Sequence, residues 1–298
     1  MKLEKEDYLD PACPLCGRPG ESESARPVPR DRIQRKLREY EDASDWNGAE
    51  RHLLYWLSEA EMNGDRRGQL MLQNELMGFY RKQGDRERAE AHADQAENLI
   101  AALQMEDTVT AGTTHVNAGT VREAFGDPVG ALDYFEKARE NYERNLPEND
   151  GRLGGLYNNM ALTCTALGQY EEAMELYEQA LRIMADVPDG ELEQAITYLN
   201  MANTVEAQLG LEKGEQRIGE LTERAEELLE AKSEELLGRE DALLSDSSAI
   251  SALSREMRAR LGYYAFVCEK CAPVFSYYGY FLAAERFADR SDRLTALL

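Results

Sequence analysis

Tyr157-Asn158-Asn159-Met160-Ala161 … Leu167-Gly168-Gln169-Tyr170 … Ala173 … Tyr177 … Ala180 is the stretch that decides the fold. One helical run leads into Gly168, and a second leaves it carrying Ala173, Tyr177 and Ala180 on a single face. Glycine ends the first run because it tolerates the left-handed backbone needed there. The small alanines let two antiparallel helices approach closely.

The same unit recurs outward in both directions. Gly84, Gly126, Gly168 and Gly210 stand 42 residues apart. Ala89 and Ala131 match Ala173, Ala96 and Ala138 match Ala180, and Phe135 matches Tyr177. A fixed period of this length means one supersecondary unit copied and stacked. Repeat four departs, because its second helix carries Gly214 and Gly219 with no alanine at the usual offset, and Asn200 stands ten residues before its glycine, against nine for Asn117 and Asn159. Further helix pairs are read over residues 30–63, turning near Asp45-Trp46, and from Tyr263 onward around Gly279 and Ala284.

These residues resemble the tetratricopeptide repeat, and the 42-residue length is similar to the longer variant of kinesin light chains and many bacterial proteins. The resemblance implies an all-α, right-handed superhelical solenoid of antiparallel helix pairs, with five to six repeats. It implies a non-catalytic scaffold that binds a protein or peptide in a concave groove lined by the first helix of each pair. Asn74, Asn117, Asn158, Asn159, Asn200 and Asn203 recur on those helices. An asparagine amide both donates to and accepts from a peptide backbone, and related proteins hold extended peptides this way. Arg81, Lys82 and Arg122 are the basic residues nominated to meet an acidic partner.

Residues 1–29 differ in composition. They hold Pro11, Pro14, Pro19, Pro27 and Pro29 and are expected to form an extended arm, leaving 30–298 as the repeat domain. The arm carries Cys13-Pro14-Leu15-Cys16-Gly17, similar to the knuckle of a zinc ribbon. A second pair, Cys268 and Cys271, stands near the other end. Two such pairs supply four soft ligands, enough for one closed structural Zn²⁺ site, within one chain or bridging two into a homo-oligomer. Cys164 reads as a small core residue. Aromatics gather between Tyr263 and Phe287 and read as core. The stretch 221–243 reads as a long capping helix, with its glutamates solvated, and 245–251 as a loop.

The net charge is −23, with 57 acidic against 34 basic residues. Phosphate backbones and anionic membranes are repelled by such a chain. No apolar run reaches the ~18 residues of a bilayer span, and the first residues lack the apolar core of a signal peptide. The expected location is the cytoplasm. His52, His92 and His115 fall on separate repeats, and no catalytic motif is present. The alternatives left open are an intracellular peptide- or metal-sensing regulator and a thiol- or zinc-dependent enzyme.

Overall fold

The computed structural model describes residues 26–238, 241, 243–244 and 253–298. Its twelve described helices alternate with short turns: α1 (Arg30–Asp42), α2 (Trp46–Met62), α3 (Arg66–Lys82), α4 (Arg86–Leu103), α5 (Val109–Ala124), α6 (Pro128–Asn145), α7 (Gly151–Ala166), α8 (Tyr170–Met184), α9 (Gly190–Leu209), α10 (Leu211–Leu237), α11 (Arg255–Tyr277) and α12 (Phe281–Leu297). They form six antiparallel pairs, each helix with its successor. No strand occurs among the described residues. The chain divides into two compact units between Pro147 and Glu148, one with α1–α6 and one with α7–α12. The loop expected over 245–251 lies outside the described residues.

In the first unit, turn and packing rest on a few residue types. At the α5–α6 turn Gly126 takes φ +76, and Asp127 then caps α6 by accepting from the Gly130 amide at 3.0 Å. The same glycine–aspartate device, with Asp65 and Asp85 as caps, opens α3 and α4. At the α1–α2 turn Ser44 takes the left-handed place at φ +53, and Asp45 caps α2. Ala89, Ala96, Ala131 and Ala138 are fully buried. Phe135 on α6 lies against Gly119 on α5 so closely that a Cβ there would stand 2.5 Å from its ring. Gly112 meets the Tyr142 ring in the same way. Of the arm, residues 26–29 are described, and they are not helical. Val28 is buried, and its amide donates to the Asp65 carboxylate at 2.7 Å, clipping the chain onto the α2–α3 turn.

The second unit repeats this packing in α7–α8, where Gly154 accommodates the Met184 side chain and Cys164 is fully buried. Helix α10 departs from the pattern, as its sequence signalled. It starts one residue after the left-handed Gly210 and runs 27 residues. It is not a cap, since the α11–α12 pair follows and packs on it, and its glutamates are not simply solvated. Arg286 bonds Glu226 at 2.6 Å and Glu230 at 2.9 Å; Arg290 bonds Glu230 at 2.9 Å and Asp241 at 2.8 Å. Lys232, only 4% exposed, pairs with Asp189 at 2.8 Å and Glu235 at 2.7 Å. Arg260 on α11 grips both oxygens of Asp189 and reaches Glu235 at 2.6 Å. Asp189 sits at φ +57, a strained place for a residue with a Cβ. These fixed partners hold it there.

Two consequences are testable by thermal or denaturant unfolding. Gly119→Ala drives a methyl into the Phe135 ring and is expected to cost about 1–3 kcal/mol, whereas Gly78→Ala, where a Cβ meets nothing within 4 Å, is not destabilising; equal effects would contradict the close-approach account. Arg260, then Lys232, hold the Asp189 carboxyl well below its ordinary range. Its folded pKa is depressed, so its contribution is full above about pH 4, where an unfolded aspartate ionises, and drains away as pH falls below that. Arg260→Ala is expected to lower stability by about 1–2 kcal/mol at neutral pH and to flatten this acid dependence.

Candidate functional site

Among the first helices, α3 lies beside α5 in the first unit, and α7 beside α9 and α9 beside α11 in the second, and polar side chains lace them together. In the first unit Asn117 donates to Asn74 Oδ1 at 2.9 Å. Asn74 donates in turn to the Leu70 carbonyl at 2.9 Å and to Thr114 Oγ1 at 3.1 Å. Asn74 is 4% exposed. It is therefore an interior joint between α3 and α5, not a groove residue as the sequence suggested. In the second unit Asn200 donates to Asn158 Oδ1 at 3.2 Å, Thr197 donates to the same oxygen, and Thr165 bonds Thr204 at 2.8 Å. Asn200 thus pairs with Asn158, and both stand ten residues before their glycines. The slip in register suspected from Asn159 does not occur. Asn117, Asn158, Asn159 and Asn200 remain half-buried, and Asn203 is exposed.

The basic residues are placed differently from expectation. Lys82 pairs with Glu41 at 2.9 Å, and Arg122 pairs with Glu90 at 3.2 Å. Arg81 is half-buried and feels the charge of Glu123, and burial lowers its pKa. Each of the three is already balanced by the chain's own acids, so they do not form a cationic surface for an acidic partner.

The histidines serve packing. His52 bonds the Ile33 carbonyl at 3.1 Å. His92 stacks on Tyr80 and bonds Gln73, and burial lowers its pKa. His115 is buried beside Glu97 at 3.1 Å.

Cys268 and Cys271 stand three apart on α11 and share one core cluster with Leu229, Leu261, Phe275 and Phe287. Both are essentially inaccessible. Burial pushes the Cys268 thiol up to about 12 and the Cys271 thiol higher still. Pro273 lies inside the same helix. Among the described residues no three His, Cys, Asp or Glu side chains gather where a metal ion could sit. The described residues therefore do not fit a zinc site on their own. Cys13 and Cys16 lie outside the described residues.

A surface the sequence missed lies on α9 and α11. Tyr264, Phe275 and Phe287 are core, as expected, but other aromatics of this region are not. Phe266, 48% exposed, and Tyr277, 62% exposed, stand on an outer face of α11, where Tyr263 and Val274 at the same spacing are half-buried and pack against the core cluster. Tyr263 donates to Glu193, Tyr277 donates to Glu206 at 2.6 Å, and Tyr278 donates to Asn203 at 2.8 Å and Glu206 at 2.9 Å. Burial and Glu193 raise the Tyr263 pKa, burial and Glu206 that of Tyr278, and Glu206 that of Tyr277. All three stay protonated donors. A helix apolar on two faces is the signal that was available in the sequence.

No curated protein matches the chain. Among solved structures, BtubC (BKLC) from P. vanneervenii superimposes with a TM-score of 0.61 at 19% identity, over 68% of this chain and 81% of that one. A Podosopora anserina kinesin light chain with nearly identical TPR-like repeats gives a TM-score of 0.45 at 17% identity, over 75% of this chain and 93% of that one. The first likeness is one of fold, and it agrees with the helix pairing described above. The tetratricopeptide repeat family matches residues 69–144 and 153–230, together about half of the chain, and with the glycine turns, buried alanines and seated aromatics in place the chain belongs to the tetratricopeptide repeat family.

Proposed function

We propose that this chain is a non-catalytic, cytoplasmic interaction module that holds an extended protein or peptide segment against the first helices of its pairs. The supporting observation is the set of half-buried and exposed amides, Asn117, Asn158, Asn159, Asn200 and Asn203, on those helices. Amides in that state are wet enough to exchange water for a ligand's backbone and fixed enough to lose little entropy in doing so. Helix pairs of this family generally serve protein association. No described helix is long and apolar enough to cross a membrane, and the −23 charge disfavours nucleic acid as a partner.

The test uses a binder selected from a displayed short-peptide library. Asn158→Ala with Asn200→Ala removes both members of one hydrogen-bonded pair, so little is left unsatisfied and the fold is retained. The double variant is expected to bind the selected peptide about tenfold more weakly, from the loss of one to two net hydrogen bonds. Undiminished binding with an unchanged circular dichroism spectrum would remove the asparagines from the site.

A structural zinc is a separate proposal that rests on Cys13 and Cys16. Elemental analysis of the reduced, full-length chain is expected to find zinc that is lost in Cys13→Ser/Cys16→Ser; its absence from the unmodified chain would end the proposal. Cys268 and Cys271, being buried, are expected to react with a thiol reagent only after denaturation.

A further inference from the structure

We infer that the α9–α11 face of the second unit recognises a cationic segment, rich in Arg or Lys, of a partner protein. The inference rests on the peptide-holding reading above and names the chemistry of what is held. Three observations point the same way.

The first is the composition of the face. It presents the carboxylate of Glu206, bonded by the exposed Tyr277, and that of Glu193, bonded by Tyr263, on which the exposed Phe266 stacks. Tyrosine hydroxyls already hold the two carboxylates in position, Glu206 by Tyr277 and Tyr278. A neutral phenol donor does not cancel the carboxylate charge, so each site keeps an oriented anion. Carboxylates next to aromatic faces suit guanidinium and ammonium groups, which pair with the first and stack on the second.

The second is that the chain itself shows the contact. Lys270 Nζ stands 5.3 Å from the centroid of the Phe266 ring, on which Tyr263 stacks at 6.3 Å. A partner cation would meet the same kind of surface at Tyr277.

The third is the charge balance. The basic residues suited to an acidic partner, Lys82 and Arg122, are engaged with Glu41 and Glu90. With a net charge of −23, approach of a cationic segment is favoured and approach of an acidic one is opposed.

The experiment is fluorescence anisotropy on the full chain with three labelled peptides of equal length. One alternates Arg with Ser, the second has Glu in place of Arg, and the third has Gln. Four variants accompany the unmodified chain. Glu206→Gln removes the charge but keeps an acceptor for the tyrosines. Tyr277→Ala removes an exposed ring. Glu227→Gln makes the same charge change on α10, where the carboxylate pairs with Arg224. Asn158→Ala/Asn200→Ala probes the asparagines.

The Arg peptide is expected to bind about tenfold or more tightly than the Gln peptide, with the Glu peptide weakest, and to weaken as salt rises. Glu206→Gln and Tyr277→Ala are each expected to weaken it about three- to tenfold, and Glu227→Gln less than twofold. Tighter binding of the Glu or Gln peptide would overturn the cationic inference while leaving a peptide-holding scaffold. Equal effects of Glu206→Gln and Glu227→Gln would reduce the attraction to net charge and overturn the site. A dimer in sedimentation equilibrium that Tyr277→Ala dissolves would assign the face to a second copy instead. Arg-peptide binding that ignores the asparagine variant would keep this inference and remove the asparagine reading; no binding by any peptide would remove both.

Discussion

In the α5–α6 pair, the seating of an aromatic ring on a glycine is the contact on which the close approach of the two helices depends. Phe135 lies over Gly119, and Tyr142 over Gly112, in space that a single methyl would fill. Close-packed interiors do not yield to an added methylene without strain. The glycines therefore set the distance between the paired helices, and the buried alanines at 131 and 138 keep the contact close along their length. In the first unit a left-handed residue, Ser44, Gly84 or Gly126, and the aspartate cap that follows it aim the second helix of each pair back along the first. Stacking, and with it the side-by-side array of first helices, follows from this local geometry.

That array is joined by a polar seam. Asn74 to Asn117, Asn158 to Asn200, and Thr165 to Thr204 bond first helix to first helix. Such bonds cost desolvation, and they reward one register over its neighbours, since a slip of one residue leaves buried amides unpaired. The same residue type thus serves two ends. Asn74 is wholly committed to the seam, while the half-buried amides keep one edge toward solvent.

Much of this was legible in the sequence. Glycines at a fixed period and alanines at fixed offsets carry the helix pairs, because those positions are decided by backbone conformation and close approach, which few residues satisfy. The first pair was found at the right turn even though Ser44 stands where glycine is usual. The surface residues were less legible. Asn74 and Asn158 look alike in sequence, and only burial separates them, Asn74 being an interior joint and Asn158 half-buried. Lys82 and Arg122 looked available because their acids, Glu41 and Glu90, lie 41 and 32 residues away along the chain. The glutamates of α10 looked solvated because Arg286 and Arg290, which grip them, come from the last helix. Phe266 and Tyr277 were read with the core because one helix carries two apolar stripes.

The central claim is that a peptide lies on the first helices. Amide hydrogen exchange of the full chain, with and without a selected peptide, tests it most directly. New protection is expected on α9 and α11 and at the solvent edge of α7, with α8, α10 and α12 unchanged. Protection confined to α8, α10 and α12 would contradict it.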